Sequence, residues 1–172
     1  VKETMPDGTT LLMTAAENGH NDIVQELLKL GVDVNQRRQD TFSAFLIACF
    51  LGHDDVVKML AKHGADVKAA YEIGSSQGSS GNQTALTVAA ARGNCAMCAL
   101  LLKLGADLNV VSDSGYTPLM WSLANGSSED AAELLLKAGA NPDPDAESRI
   151  AISTSTTPLI LGRSGRASRS PV

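Results

Sequence analysis

Residues 84–109, TALTVAAARGNCAMCALLLKLGADLN, decide the fold. The stretch opens on the hydroxyl of Thr84, and a hydroxyl suits a helix start, where free backbone N–H groups need an acceptor. A short run of small and apolar residues follows and stops at Gly93. Glycine closes a helix with a backbone turn that side-chained residues resist. A second apolar run ends at Gly105, and "ADLN" then reads as a turn or hairpin. One feature competes with this helix–turn–helix reading. Cys95-Ala96-Met97-Cys98 has the spacing of a redox pair or of half a metal knuckle.

The same sentence recurs along the chain. Gly19, Gly52, Gly93 and Gly126 follow small-residue pairs or their equivalents: Ala15-Ala16, Ala48-Cys49, Ala89-Ala90 and Ser122-Leu123. Gly31, Gly64 and Gly105 each lie 12 residues further on, and Gly139 lies 13 after Gly126. Gly19 to Gly52 is 33 residues, Gly93 to Gly126 is again 33, and Gly52 to Gly93 is 41, so eight residues are inserted there. Each first helix starts at Thr10, Ser43, Thr84 or Thr117. Each second helix carries apolar pairs four residues apart, such as Ile23-Val24 with Leu27-Leu28, which make one apolar stripe. A period of this length is the mark of a stacked repeat array.

With the register set, "TALTVAAARGN", "SAFLIACFLGH" and "TPLMWSLANG" resemble the T-P-L-H-x-A-A-x-x-G-H run of ankyrin repeats, and "IVQELLKLGVDVN" resembles that family's second helix and exit. The resemblance covers roughly residues 5–145. It implies an all-α fold: an ankyrin-type helix-turn-helix repeat solenoid with short β-hairpin or turn connections. The units fall at 5–37, 38–70, 79–111 and 112–145, with a flexible hairpin insertion at 71–78. Residues 1–4 read as the remnant of an upstream repeat, 146–161 as an incomplete fifth, and the Gly/Ser/Arg-rich 162–172 as a disordered tail. The chain therefore reads as a fragment of a longer array. The sequence departs from the family pattern in two places. Leu11, Ala44 and Ala85 replace its Pro, which survives only as Pro118. Met13, Leu46, Thr87 and Met120 replace its His, at the expected loss of a hydrogen-bonding side chain.

The register also answers the cysteine question. Cys98 takes the core position held by Val24 and Val57, where a thiol behaves as a small hydrophobe. Cys95 follows the inter-helix turn, like Asn21 and Asp54. A structural zinc site needs four Cys or His ligands, and no second pair has suitable spacing. A redox Cys-x-x-Cys wants a βαβ context, which is missing. "GSSQGSSG" at 74–81 has no Walker lysine and coincides with the insertion. Asp54-Asp55 and Glu129-Asp130 fall at second-helix starts, where they complement the dipole. No catalytic set, cofactor site or metal site is expected.

Composition sets the remaining bounds. Hydrophobic residues are 44% and aromatics 3%, so the core must be built from Leu, Ala, Val and Ile. No apolar run is long enough to span a bilayer. Three cysteines form no even framework, which points to reduced thiols in the cytoplasm or the nucleus. The net charge is −5, and three arginines (163, 166 and 169) lie in the tail, leaving −8 for the rest. That opposes non-specific nucleic-acid binding.

The expected role is a protein–protein interaction scaffold, acting as a monomer and binding another protein on the concave face that the resemblance implies. The alternative is a regulatory or substrate-targeting segment of a larger enzyme or channel. Candidate contact residues are the tip residues Gln39, Asp40, Phe42, Asp113 and Tyr116, with Phe50, Leu51, Arg92 and Asn125 near the ends of the first helices. Phe42 and Tyr116 are expected to be exposed. Phe50 and Leu51 stand where other units place Glu17-Asn18, Ala91-Arg92 and Ala124-Asn125. Two large apolar residues there are not needed for the unit's own core: they either pack against a neighbouring hairpin, especially the long insertion, or form an anchor for a partner, since aromatics dominate hot spots. Asn35 and Asn109 close "DVN" and "DLN". The resemblance marks them as candidates for asparaginyl hydroxylation, against a simpler role bonding the turn backbone.

Overall fold

The structure, a computed structural model, describes residues 5–39, 41–73, 80–112, 115–124 and 129–142. The expected upstream remnant, incomplete fifth repeat and tail lie outside these residues. So do positions 74–79 of the insertion and the candidate contacts Asp40, Asp113 and Asn125.

Among the described residues the chain forms four helix–turn–helix units: α1 (Leu11–Glu17) with α2 (Asn21–Lys29), α3 (Ala44–Leu51) with α4 (Asp54–Lys62), α5 (Ala85–Ala91) with α6 (Cys95–Lys103), and α7 (Pro118–Ala124) with α8 (Glu129–Lys137). The hydroxyls expected at the helix starts cap them. The side chains of Thr10, Ser43, Thr84 and Thr117 accept from the backbone N–H of Met13, Leu46, Thr87 and Met120 at 3.2–3.4 Å. Gly52 ends α3 in the left-handed region at φ 81°.

Helices of seven to nine residues do not persist alone in water. Stacking supports them. First helices pack in succession, α1 on α3 and α5 on α7, while α2 meets α4 and α6 meets α8. Equivalent positions supply the core: Leu12, Phe45, Leu86 and Leu119 from first helices, and Val24, Val57, Cys98 and Ala132 from second helices, all buried. Cys98 is thus a packing residue.

The junction between the second and third units differs from the other two. α3 meets α5 over a smaller interface than α1 offers α3 or α5 offers α7. Here the second unit uses larger side chains. Phe45 stands where the others have Leu, and Cys49 where the first and third have Ala16 and Ala90. The inserted segment adds a hairpin of β1 (Ala70–Ile73) and β2 (Ser80–Thr84), antiparallel, pairing Ala70 with Thr84 and Tyr71 with Gln83. Tyr71 is only 2% exposed, and its ring meets that of Phe42 at 4.7 Å between centroids. The expected flexible insertion therefore begins with a core residue, and the expected exposure of Phe42 is corrected to half-buried. Both follow from a wider junction that needs aromatic filling.

Candidate functional site: the face of hairpin tips and first helices

Bonds between units fix the tips relative to one another. Asn35 Nδ2 donates to the Gly64 carbonyl at 2.9 Å, and Asn35 Oδ1 accepts from Asp66 N–H at 2.8 Å. Asn109 Oδ1 accepts from Asn141 N–H at 3.0 Å across the last junction. The position matching these asparagines in the second unit is Lys68, which cannot accept, so the middle junction lacks this link. The Gln39 side chain donates to the Pro6 carbonyl at 3.1 Å, tying the first two tips together. His53 Nε2 donates to the Glu17 carbonyl at 3.0 Å. It crosses directly over Gly19, where a Cβ would sit 2.9 Å from the ring, so that glycine is required by space as well as by its φ of 65°.

The expected loss of hydrogen bonding at the His position is corrected at two units. Thr87 Oγ1 accepts from Thr84 N–H at 2.9 Å and donates to the Thr84 carbonyl at 2.7 Å. Met120 Sδ takes the N–H of Thr117 at 3.3 Å.

On this frame Phe50 is 41% exposed and Leu51 45%, as expected. The Arg92 guanidinium, from the end of α5, lies over the Phe50 ring at 4.4 Å from its centroid. Two candidates, Phe50 and Arg92, are thereby brought together across the α3/α5 junction, with Leu51 next to Phe50 in the chain. Tyr116 is half-buried rather than exposed, because its ring lies 5.1 Å from that of Trp121. Sequence reasoning did not single out Trp121. The available signal was its position, which matches Thr14, Ile47 and Val88 on the same first-helix row. Gln39 is exposed but engaged at Pro6, away from the Phe50–Arg92 pair in its contacts.

The second-helix side is different in kind. It carries i,i+3 and i,i+4 ion pairs, Lys29–Glu26 at 2.7 Å, Lys58–Asp55 at 3.0 Å and Lys137–Glu133 at 2.7 Å. These are solvated pairs of the kind that add little to stability.

Comparison with protein families agrees with this geometry. A family model described as ankyrin repeats (3 copies) matches residues 1–71 and 69–146. The chain belongs to the ankyrin repeat family. Ankyrin repeats generally mediate protein–protein interaction and are typically non-catalytic.

The buried chemistry of this ankyrin array is that of packing groups. Burial pushes the Cys98 thiol up to about 12, with Cys95 beside it adding to the shift. Burial also raises Cys49, with a smaller contribution from Asp54. A thiol held protonated is a poor nucleophile. Burial pushes the Tyr71 phenol up to about 12, partly offset by the charge of Arg92. Among the described residues no three His, Cys, Asp or Glu side chains group to hold a metal ion, and no helix is long and apolar enough to cross a membrane.

Proposed function

We propose that this array is a non-catalytic binding module that recognises a partner protein on the face of hairpin tips and first helices. It acts as a monomer in a reducing compartment, cytoplasm or nucleus. The carrying observation is the pair Phe50 and Leu51. They are exposed side by side on α3, in a family whose repeats generally bind proteins, while the equivalent positions Glu17 and Asn18 are polar. Contiguous exposed apolar surface marks interaction sites, and aromatic residues dominate interface hot spots. Arg92 extends the patch across the α3/α5 junction, and Phe42 and Tyr116, with Gln39, Asp40, Asp113 and Asn125, are the further contacts assigned to this face from the repeat register. The three free cysteines among the described residues support the reducing compartment.

The test is affinity purification with the whole chain as bait, identification of the bound protein, and titration of that protein against variants. Phe50→Ala should weaken binding by roughly 1–3 kcal/mol and change unfolding free energy by less than about 1 kcal/mol. A loss of several kcal/mol of stability with unchanged binding would make Phe50 a core residue and remove the patch.

A further inference from the structure

Arg92 is one of two arginines of the described residues that lie over an aromatic ring, the other being Arg38 over Phe42 at 5.9 Å within a single hairpin tip. Lys29, Lys58 and Lys137 each pair with a carboxylate on their own helix. The Arg37 guanidinium donates to the Ala70 carbonyl at 3.0 Å. Arg92 is exposed, and its side chain reaches back from α5 to lie over Phe50 of the preceding unit. Among the described residues its guanidinium forms no ion pair and no hydrogen bond. The contact with the ring uses the cation's charge and leaves its N–H donors unspent.

The end of α5 alone does not account for this. A helix C-terminus favours a cation, yet the matching positions in the other units are Asn18, Leu51 and Asn125. The ring beneath Arg92 is special to the second unit as well, since Glu17, Ala91 and Ala124 occupy the Phe50 position elsewhere. Among the described residues an arginine–phenylalanine contact that joins two units is thus found at the middle junction, with Leu51 next to Phe50 in the chain.

We propose that Arg92 is a preorganised carboxylate anchor, and that the partner segment bound here presents an Asp or Glu side chain flanked by apolar residues. The proposal rests on the interaction reading above and adds the chemistry of the partner. A guanidinium matches a carboxylate through two parallel N–H···O bonds. Phe50 fixes the guanidinium before binding, so less rotamer freedom is lost on contact. Phe50 and Leu51 supply the apolar surface that the flanking residues would cover and that would keep water from the ion pair. A single guanidinium suits a singly charged carboxylate better than a phosphate, which draws on clusters of cations. The net charge of −5 opposes polyanions further.

The experiment is selection of a random linear-peptide library on the immobilised whole chain, followed by titration of the enriched peptides. Enriched sequences should share an Asp or Glu next to apolar residues. Arg92→Gln should weaken their binding about tenfold, and Arg92→Lys should restore only part of it, because an ammonium lacks the planar fork. Replacing the peptide's acid by its amide should cost as much in the parent chain and almost nothing in Arg92→Gln. Thermal melts of both variants should match the parent, since Arg92 is exposed. Peptides that bind through Phe50 and Leu51 but carry no acid, or ignore Arg92→Gln, would overturn this inference and leave the interaction reading standing. No enrichment above a blank surface would overturn both.

Discussion

Asn35 donates its side-chain amide to the carbonyl of Gly64 at 2.9 Å, so one side chain of the first unit closes the end of the second unit's α4. Its oxygen simultaneously takes the N–H of Asp66. Asn35→Ala removes an acceptor and a donor together and leaves two backbone groups to solvent. Both lie at the surface, so water can replace part of the loss. Stability should fall by about 1–2 kcal/mol in urea denaturation. An unchanged midpoint would mean that helix packing alone sets the junction.

The resemblance to ankyrin repeats makes the same asparagines candidates for hydroxylation, and both Asn35 and Asn109 are exposed. A modifying enzyme would have to open the bonds that hold them to the next unit. Mass spectrometry of the chain from oxygenated cells should show the gain of one oxygen on a peptide containing either residue. A destabilised unit should carry the larger fraction. Unmodified peptides at both positions would remove the assignment.

Thr41 sits at φ 65°, where Gly8 and Gly115 occupy the matching tips at 84° and 78°. A β-branched residue in the left-handed region is strained by roughly 1–2 kcal/mol, and glycine gives back part of that through its greater freedom when unfolded. Thr41→Gly should therefore stabilise the chain by about 0.5–1 kcal/mol. A lower melting temperature would show that the threonine side chain's own contacts outweigh the strain.

The strained tip illustrates what was legible in the sequence. The glycine period, the capping hydroxyls and the second-helix stripe report local backbone needs that recur in every unit, so their positions could be read without a structure. The burial of Cys98 followed from register alone. Tyr71 could not be read in this way. It lies where the period breaks, and its burial depends on how far apart α3 and α5 stand, a distance between units with no signature in either. The half-burial of Phe42 has the same origin, since it leans on Tyr71, whereas that of Tyr116 arises within its own unit, from Trp121 on α7. The replacement of the family's His by Thr87 and Met120 was visible as a change of letter. That a hydroxyl or a sulfur could still meet the backbone N–H three residues earlier required coordinates.

The buried thiols should make the array alkali-sensitive. Cys49 and Cys98 ionise in the unfolded chain near the ordinary value of 9.0, whereas burial holds both protonated in the fold, Cys98 up to about 12. Above pH 9 the unfolded state then binds fewer protons than the folded state, so stability falls as pH rises towards 12. Each thiol contributes on the order of 1 kcal/mol per pH unit in that window. Urea midpoints at about pH 8 and about pH 10 should differ accordingly. Cys49→Ala, which copies Ala16 and Ala90 of the first and third units, should reduce the difference. An equal drop in that variant would place the sensitivity elsewhere.

Tyr71 gives the sharpest separation between ring and hydroxyl. Its ring is buried against Phe42, while its hydroxyl is buried without a hydrogen-bond partner among the described residues. A buried unpaired hydroxyl costs roughly 1–3 kcal/mol. Tyr71→Phe keeps the packing and removes that cost, so stability should rise, by up to about 1 kcal/mol once the unfolded state's own hydration is counted. Tyr71→Ala empties the junction, and stability should fall by about 3–5 kcal/mol. Deleting residues 72–79 while keeping Tyr71 removes the Ile73–Ser80 pair of the hairpin but keeps Tyr71 opposite Gln83, and should change stability by less than about 1 kcal/mol, because closure entropy depends only weakly on the length of a connection. The three melts should thus rank Phe highest, the deletion next to the parent, and Ala lowest. If the deletion proved as damaging as Tyr71→Ala, the hairpin and not the ring would be what fills the space between α3 and α5.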